Sequence, residues 1–345
     1  MPRSLFALGL FLCAALIRAE EPAPSALSST SSISREVKDV FDKAAKAVVK
    51  IRGTDPYGEL SGTGFFIDAA GTIYTAFSVG GDTDNITVEF DGKKHPAHVL
   101  LSDLRSGIAI LKIDLATPSL PIGKSQPIEV ATPVITIGYP LDLAETPSFG
   151  MMAGFDRKFL DRYFCTTHLR VNLPTQRGEA GAPLLNFKGE VIGILVASID
   201  NGSACYALPI DAAEKIRNDF IRFGEARHGW IGINVASTEK PTEGSTAEMT
   251  EIIKDTPAFG SGVKTGDILL QVGKTKVHEP EDVIDASFFI TAGDTVPIVV
   301  ARSGEKLTFE ITAGRHPASV FAPKAATLTP HDGIPLHLDS TQRTP

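Results

Sequence analysis

The sequence predicts a mainly β protein of two domains, an N-terminal barrel or sandwich followed by a smaller β unit. Three observations carry this. The 345 residues are 43% hydrophobic and 21% charged, an ordinary globular mixture, and a single domain averages roughly 100–200 residues. Short apolar runs punctuated by Gly, Asp and Pro fill residues 62–210, with few helical stretches between them. From His228 a second set of alternating strands begins, and roughly 85 residues suffice for an independent core. The net charge of −8, with no basic block, argues against nucleic acid as a partner.

The elements follow in order. Arg3 and the uncharged apolar run Ser4 to Ile17 read as a secretory signal, residues 1–19, ending at Ala19; the run is short of the roughly 20 residues that span a bilayer. An uncleaved N-terminal membrane anchor is the alternative. Removing Arg3 and Arg18 takes the net charge from −8 to −10. Residues 20–33, rich in Ser, Pro and Ala, read as a flexible leader. Ser34 to Ala47 has helical spacing, with Val37, Val40, Phe41 and Ala44 on one side. Strands are expected at 62–68, 72–77, 85–90, 108–113, 133–140, 191–198 and 205–210. A helix over Ile210–Phe223 closes the domain; Asp211 and Glu214 resemble a capping box, and Gly224 suits its C-terminal stop. The second unit reads strand (230–235), loop (236–247), strand (248–255), turn and strand (267–273). A helix beginning at Pro280 and the strands 296–302 and 306–314 complete it. The tail from His316 is Pro-rich, without apolar periodicity, and is expected to be disordered.

Cys13 leaves with the signal. Cys165 and Cys205 remain as an even pair in an oxidising compartment, open to a disulfide or to two separate buried thiols. Of the histidines, His95, His98 and His168 fall in the barrel region and read as structural. His228, His278, His316, His331 and His337 read as solvated surface residues. Cys165 and His168 suggest a dyad, but residues three apart on a strand face opposite ways. No His/Cys/Asp/Glu spacing matches a metal site, and no cofactor is expected.

Six segments occur in one order: SGTGFFID, GTIYTAFSV, SDLRSGIAILKI, VITIGYPLDLAETPSFGMMAG, RGEAGAPLLNFKGEVIGI and YALPID. After them come GWIGINV and DTPAFGSGVKTGDILLQVGKTKV. This series resembles the HtrA (DegP-like) family, in which a trypsin-like double β-barrel protease domain precedes a PDZ domain. The resemblance runs from about residue 45 to 314. It implies a protease-fold domain over 34–226, a PDZ domain (a β-sandwich with two helices) over 227–315, and a tail over 316–345. The family's histidine position holds Ser78, its carboxylate position Gly107 and its nucleophile position Ala180.

None of these three replaces what the chemistry needs. A serine hydroxyl cannot act as general base near neutral pH, Gly107 has no group to orient an imidazole, and Ala180 has no nucleophilic atom. Gly178 and Ala180 keep backbone N–H groups for a vestigial oxyanion cup. The resemblance therefore implies an exported, periplasmic or secreted, pseudoprotease. Its PDZ domain would bind peptide or protein C-termini through Gly229, Trp230, Ile231, Gly232 and Ile233, with the helix around Glu281–Phe289 as the other wall of the groove. The family also implies a homotrimer, with contacts before Val48, and an active HtrA-type protease as a partner in protein quality control. The alternative is a divergent serine endopeptidase with a displaced group such as Ser148 or Cys165.

Overall fold

The computed structural model describes residues 27–317 apart from 161, 200 and 201. The expected signal, residues 1–19, the leader before Leu27, and the tail from 318 lie outside the described residues. The first helix, α1, spans Leu27–Ala44. It therefore starts inside the stretch expected to be a flexible leader, and the helical spacing read from Ser34 onward is its C-terminal portion. Val40 and Ala44 are buried, and Val37 and Phe41 pack beside them.

Strands β1 (Val48–Asp55), β2 (Gly58–Phe66), β3 (Thr72–Ala76), β4 (Asp84–Phe90), β5 (Lys93–Pro96), β6 (His98–Asp103) and β7 (Ile108–Lys112) form one antiparallel sheet. Its order is β5-β4-β1-β2-β3-β7-β6. The one-turn helix α2 (Phe77–Gly80) follows β3. Val49, Ile51, Phe66, Ile73, Val88 and Leu111 fill the interior, placed there by the two-residue period of each strand.

A closed barrel follows, made of β8 (Pro133–Gly138), β9 (Thr146–Phe159), β10 (Arg162–Asn172), β11 (Pro183–Leu185), β12 (Val191–Ile199) and β13 (Ala204–Pro209). The long β9–β10 hairpin is absent from the sequence expectations, because its glycines and charges hide the apolar alternation. Helix α3 (Ile210–Phe223) ends at Gly224 in the left-handed region, φ 75°, as expected. The capping box expected at Asp211 and Glu214 does not form. Asp211 instead accepts from the Ser125 N–H and hydroxyl. Glu214 accepts from the fully buried Tyr74 hydroxyl at 2.6 Å. These two carboxylates tie the helix to the first sheet and to the segment that follows it rather than close its first turn.

The C-terminal domain comprises β14 (Gly229–Trp230), β15 (Ile233–Thr242), β16 (Ser245–Ile252), β17 (Ile268–Val272), β18 (Thr275–Lys276), α4 (Pro280–Phe288), β19 (Thr295–Arg302), β20 (Glu305–Thr312) and β21 (Gly314–Arg315). The sheet order is β15-β16-β17-β19-β20, while β14 pairs with β21. Residues 236–247, expected as a loop, are mostly a β-hairpin; its polar exposed side chains conceal the pairing. Of the two expected helices, α4 forms, with Pro280 in its first turn and a capping box of Glu279 and Asp282. Residues 256–261 make successive turns instead.

The two domains share a junction. Phe288 of α4 is fully buried within the core cluster that joins α1, α3, the first sheet and the barrel. Arg157 on β9 forms ion pairs with Glu279, Asp282 and Asp285. Asp285 also accepts from the Thr166 hydroxyl at 2.9 Å and from the Thr167 N–H and hydroxyl.

Candidate functional site

The positions expected to be degenerate come together on three adjoining segments. Ser78 sits exposed on α2, and the Phe77 N–H at its start donates to the Gly107 carbonyl at 2.7 Å. Gly107 ends the turn after β6 with φ +76°, a conformation that favours glycine. A Cβ built there would meet only Val196, at 3.8 Å. The turn is held by Asp103, whose carboxylate accepts from the Ser106 N–H at 3.1 Å. Ala180 presents its carbonyl to the Thr63 N–H at 2.9 Å. Its neighbour Gly181 lies so close to β3 that a Cβ would fall 2.4 Å from the Thr75 hydroxyl.

Backbone and hydroxyl contacts hold these segments together. Thr63 donates its hydroxyl to the Gly178 carbonyl at 2.7 Å and accepts from the Tyr139 N–H at 3.1 Å. Gly178, at φ +100°, leaves no room for a side chain beside the Tyr139 carbonyl, 2.3 Å from the ideal Cβ position. Among the described residues, the Gly178 and Ala180 N–H groups donate to no acceptor. Between them, Glu179 turns inward and is 2% exposed. Burial pushes its carboxyl above the ordinary range, although the Gln176 N–H donates to it at 2.6 Å.

An ion-pair contact between an imidazole and a carboxylate lies elsewhere. His228 Nε2 is 3.0 Å from each Asp103 oxygen. His228 is 3% exposed, which corrects its expected place on the surface: its partner comes from a turn 125 residues earlier. Burial opposes ionisation of Asp103, but the bonds from His228 and Ser106 hold its carboxyl below the ordinary range. His168 is a structural core residue. Its Nδ1 contacts the Thr166 carbonyl at 2.8 Å, its ring stacks on Phe164, and burial pushes its pKa down to about 4. His95 Nε2 lies 3.2 Å from the Phe90 carbonyl, His98 and His278 are exposed, and His316 is half-buried against Trp230. His331 and His337 lie outside the described residues.

The two cysteines are free thiols, which overturns the disulfide option. Cys205 pairs with Val171 across the sheet, and Cys165 lies six positions away along β10. At about 3.3 Å per residue that is far beyond the roughly 7 Å limit between bridged Cα atoms. Burial pushes both thiols up to about 12. Cys165 packs against the core cluster that contains Phe288, whereas the His168 ring stacks on Phe164. Ser148 pairs with Thr136 within the β8–β9 ladder.

The second candidate site is the loop from Gly229 to Ile233. Gly229 donates to the Ile290 carbonyl at 2.8 Å. Ile231 is buried, and its carbonyl accepts from the Ala258 N–H at 2.8 Å. Gly232 has φ +84°, and its carbonyl accepts from the Ile253 N–H at 2.9 Å. Among the described residues, the N–H groups of Ile231 and Gly232 donate to no acceptor. From Ile233 onward β15 forms a sheet edge, with α4 packed beside it. An extended peptide laid between β15 and α4 would find unpaired strand groups along its length and two free amides at its end.

Comparison with known proteins agrees with this geometry. Residues 62–194 match the trypsin-like peptidase domain family, and residues 229–313 the PDZ domain family. The chain is 29% identical over 286 residues to a probable periplasmic serine endoprotease DegP-like of Pseudomonas fluorescens, covering 79% of this chain and 59% of that protein. It is 28% identical over 302 residues to the serine endoprotease DegS of Escherichia coli K12, covering 80% of this chain and 85% of that one. Among solved structures, the HtrA-type protease AlgW with a tripeptide superposes with a TM-score of 0.72 at 24% identity, covering 81% of this chain and 97% of that one, a likeness of fold. No helix among the described residues is long and apolar enough to cross a membrane.

Proposed function

From the premise that this is an HtrA/DegP-like chain, with a trypsin-like peptidase domain ahead of a PDZ domain, we propose that it is an exported, non-hydrolytic peptide-binding protein. One observation carries the reading: Ser78, Gly107 and Ala180 occupy three adjoining segments of the cleft and supply neither base, carboxylate nor nucleophile. An oxyanion cup alone accounts for an acceleration on the order of 10³ over water, too little for useful peptide hydrolysis. The buried thiols are poor nucleophiles, since the thiolate is the reactive form. Binding falls to the loop Gly229–Ile233 with the β15 edge and α4. The protein would hold peptide or protein C-termini as a scaffold, chaperone-like holder or regulator of an active HtrA-type protease. The segment before Val48 is the contact surface this reading assigns to a homotrimer.

Three measurements test it. Purified protein should leave casein intact and take up no stoichiometric label from serine- or cysteine-reactive covalent reagents. Labelling at one residue, Ser148 or Cys165 included, would establish the endopeptidase reading that the names of the relatives favour. A decapeptide pool with free C-terminal carboxylates should bind, and the same pool amidated should not. Equal binding of both pools would remove the groove from the proposal. The amidated pool is a cleaner control than Gly232→Arg, because a Cβ at Gly232 would fall 2.2 Å from the Thr256 side chain and deform the loop.

A further inference from the structure

We propose that α3 completes the carboxylate-binding end of the groove, with its Asp219 as the positioning residue that fixes the loop Gly229–Ile233 against the end of α4. The proposal rests on the peptide-binding reading of that loop. It gives the first domain a part in ligand capture that needs no hydrolysis.

The loop and the groove wall meet in a short antiparallel ladder. The Gly229 N–H donates to the Ile290 carbonyl at 2.8 Å, and the Ala292 N–H to the Arg227 carbonyl at 3.3 Å, on either side of the His228–Thr291 bridge. One strand of this ladder runs directly into Gly229–Ile233. The other begins at Ile290, just beyond the end of α4 at Phe288. The spacing of the two strands therefore sets the distance between the loop amides and the α4 wall, where the end of a peptide would lie.

A ladder this short has few bonds of its own, and Asp219 clamps it. Asp219 is 2% exposed. Its Oδ2 accepts from the Arg227 N–H at 3.0 Å, on the loop strand. Its Oδ1 accepts from the Thr291 hydroxyl at 2.8 Å, on the wall strand. Lys215, one turn earlier on α3, pairs with the same Oδ2 at 2.7 Å and donates to the Arg227 carbonyl at 3.2 Å. The Lys215 ammonium also stands 5.8 Å from the centroid of the Phe288 ring. Lys215 balances the charge of Asp219, so the clamp sets no net negative charge against an incoming peptide carboxylate. A buried carboxylate with several donors holds them in one geometry, because each would otherwise be left unpaired. Lys215, Asp219 and Arg227 all precede the residues that match the PDZ domain family, 229–313. The binding end of the groove thus draws on groups outside the PDZ unit.

The test uses the full chain and a labelled decapeptide pool with free C-terminal carboxylates, followed by fluorescence anisotropy. Each variant is measured well below its melting temperature, with folding checked by far-UV dichroism. Thr291→Val keeps the shape of the side chain and removes the donor. Its affinity should fall about tenfold, the scale of one hydrogen bond to a charged group. Thr291→Ser returns the hydroxyl and should recover most of that loss. Asp219→Asn sets an amide donor against Lys215 and the Arg227 N–H, and should lose at least as much as Thr291→Val. A merely structural role would lower the melting temperature of these variants and leave the affinity of the folded protein unchanged. Wild-type affinity in folded Thr291→Val would therefore overturn the proposal, as would an equal loss in Thr291→Ser. If Asp219→Asn does not fold, the two Thr291 variants decide the matter; if Thr291→Val does not, Thr291→Ala takes its place with the same outcomes. Failure of the groove reading looks different: wild type then binds the free-carboxylate and amidated pools equally, and the proposal falls with it.

Discussion

The barrel cleft and the domain junction are built by different means. The cleft around Ser78, Gly107 and Ala180 is shaped by main-chain bonds and by glycines that admit no Cβ. The junction is held by side chains: Arg157 among three carboxylates, Asp219 among Lys215, Arg227 and Thr291, and Asp103 against His228. Main-chain geometry of this kind does not depend on which side chains stand at Ser78 and Ala180. Side-chain networks have no such tolerance, because removing one member leaves the others buried and unpaired.

Five measurements would break or sharpen this comparison. The largest effect is expected at the junction. Arg157→Ala leaves Asp282 and Asp285, 13% and 19% exposed, without their cation. We expect a loss of about 3 kcal/mol and separation of one denaturation curve into two, followed by far-UV dichroism and Trp230 emission. A single unshifted transition would show that the ion pairs do not hold the domains together.

Tyr74→Phe removes the hydroxyl that Glu214 accepts. The expected cost is about 1.5 kcal/mol, the scale of a hydrogen bond to a charged partner, read from the urea midpoint at constant slope. An unchanged midpoint would mean that Glu214 re-forms an equivalent contact in solvent.

Glu179 gives the cleft its own pH dependence. Burial raises its folded-state pKa, so the folded protein binds the proton more tightly than the unfolded chain does. Its contribution to stability is fully present below the ordinary carboxyl range and is lost as pH rises through the raised value. Glu179→Gln should flatten that part of the stability profile, and a variant with the wild-type slope would assign the slope to another group.

The smallest effect belongs to the side chains that main-chain geometry ignores. Ala180→Ser should yield no peptide cleavage, since Ser78 and Gly107 still provide neither base nor carboxylate, and should leave the melting temperature within a degree or so. Robust cleavage by that single variant would show that a base stands elsewhere in the cleft. Reductant, likewise, should not move the melting temperature, because both thiols are free.

Much of this was legible in the residues. Strands β2, β3, β4 and β7 of the first sheet follow from short apolar runs bounded by Gly and Asp, and α3 ends where Gly224 accepts a left-handed turn. Pro280 marks the start of α4 because its missing N–H has no partner to lose there. The hairpin over 236–247 was not legible: β15 and β16 carry polar side chains where they leave the sheet, so no apolar period survives. The pattern at Asp211 and Glu214 was misleading, since Ser125 and Tyr74, 86 and 140 residues distant, compete for those carboxylates.

By itself the sequence determined the order of the two domains, their strand-rich class and the chemical poverty of Ser78, Gly107 and Ala180. These depend on local periodicity and on which atoms a side chain possesses. Only the tertiary structure decided that Cys165 and Cys205 lie apart, that Glu179 turns inward, and that His228 meets Asp103. Each of those is a contact or a distance between segments remote in the chain, and burial and pairing are properties of the folded assembly of residues, not of any residue alone.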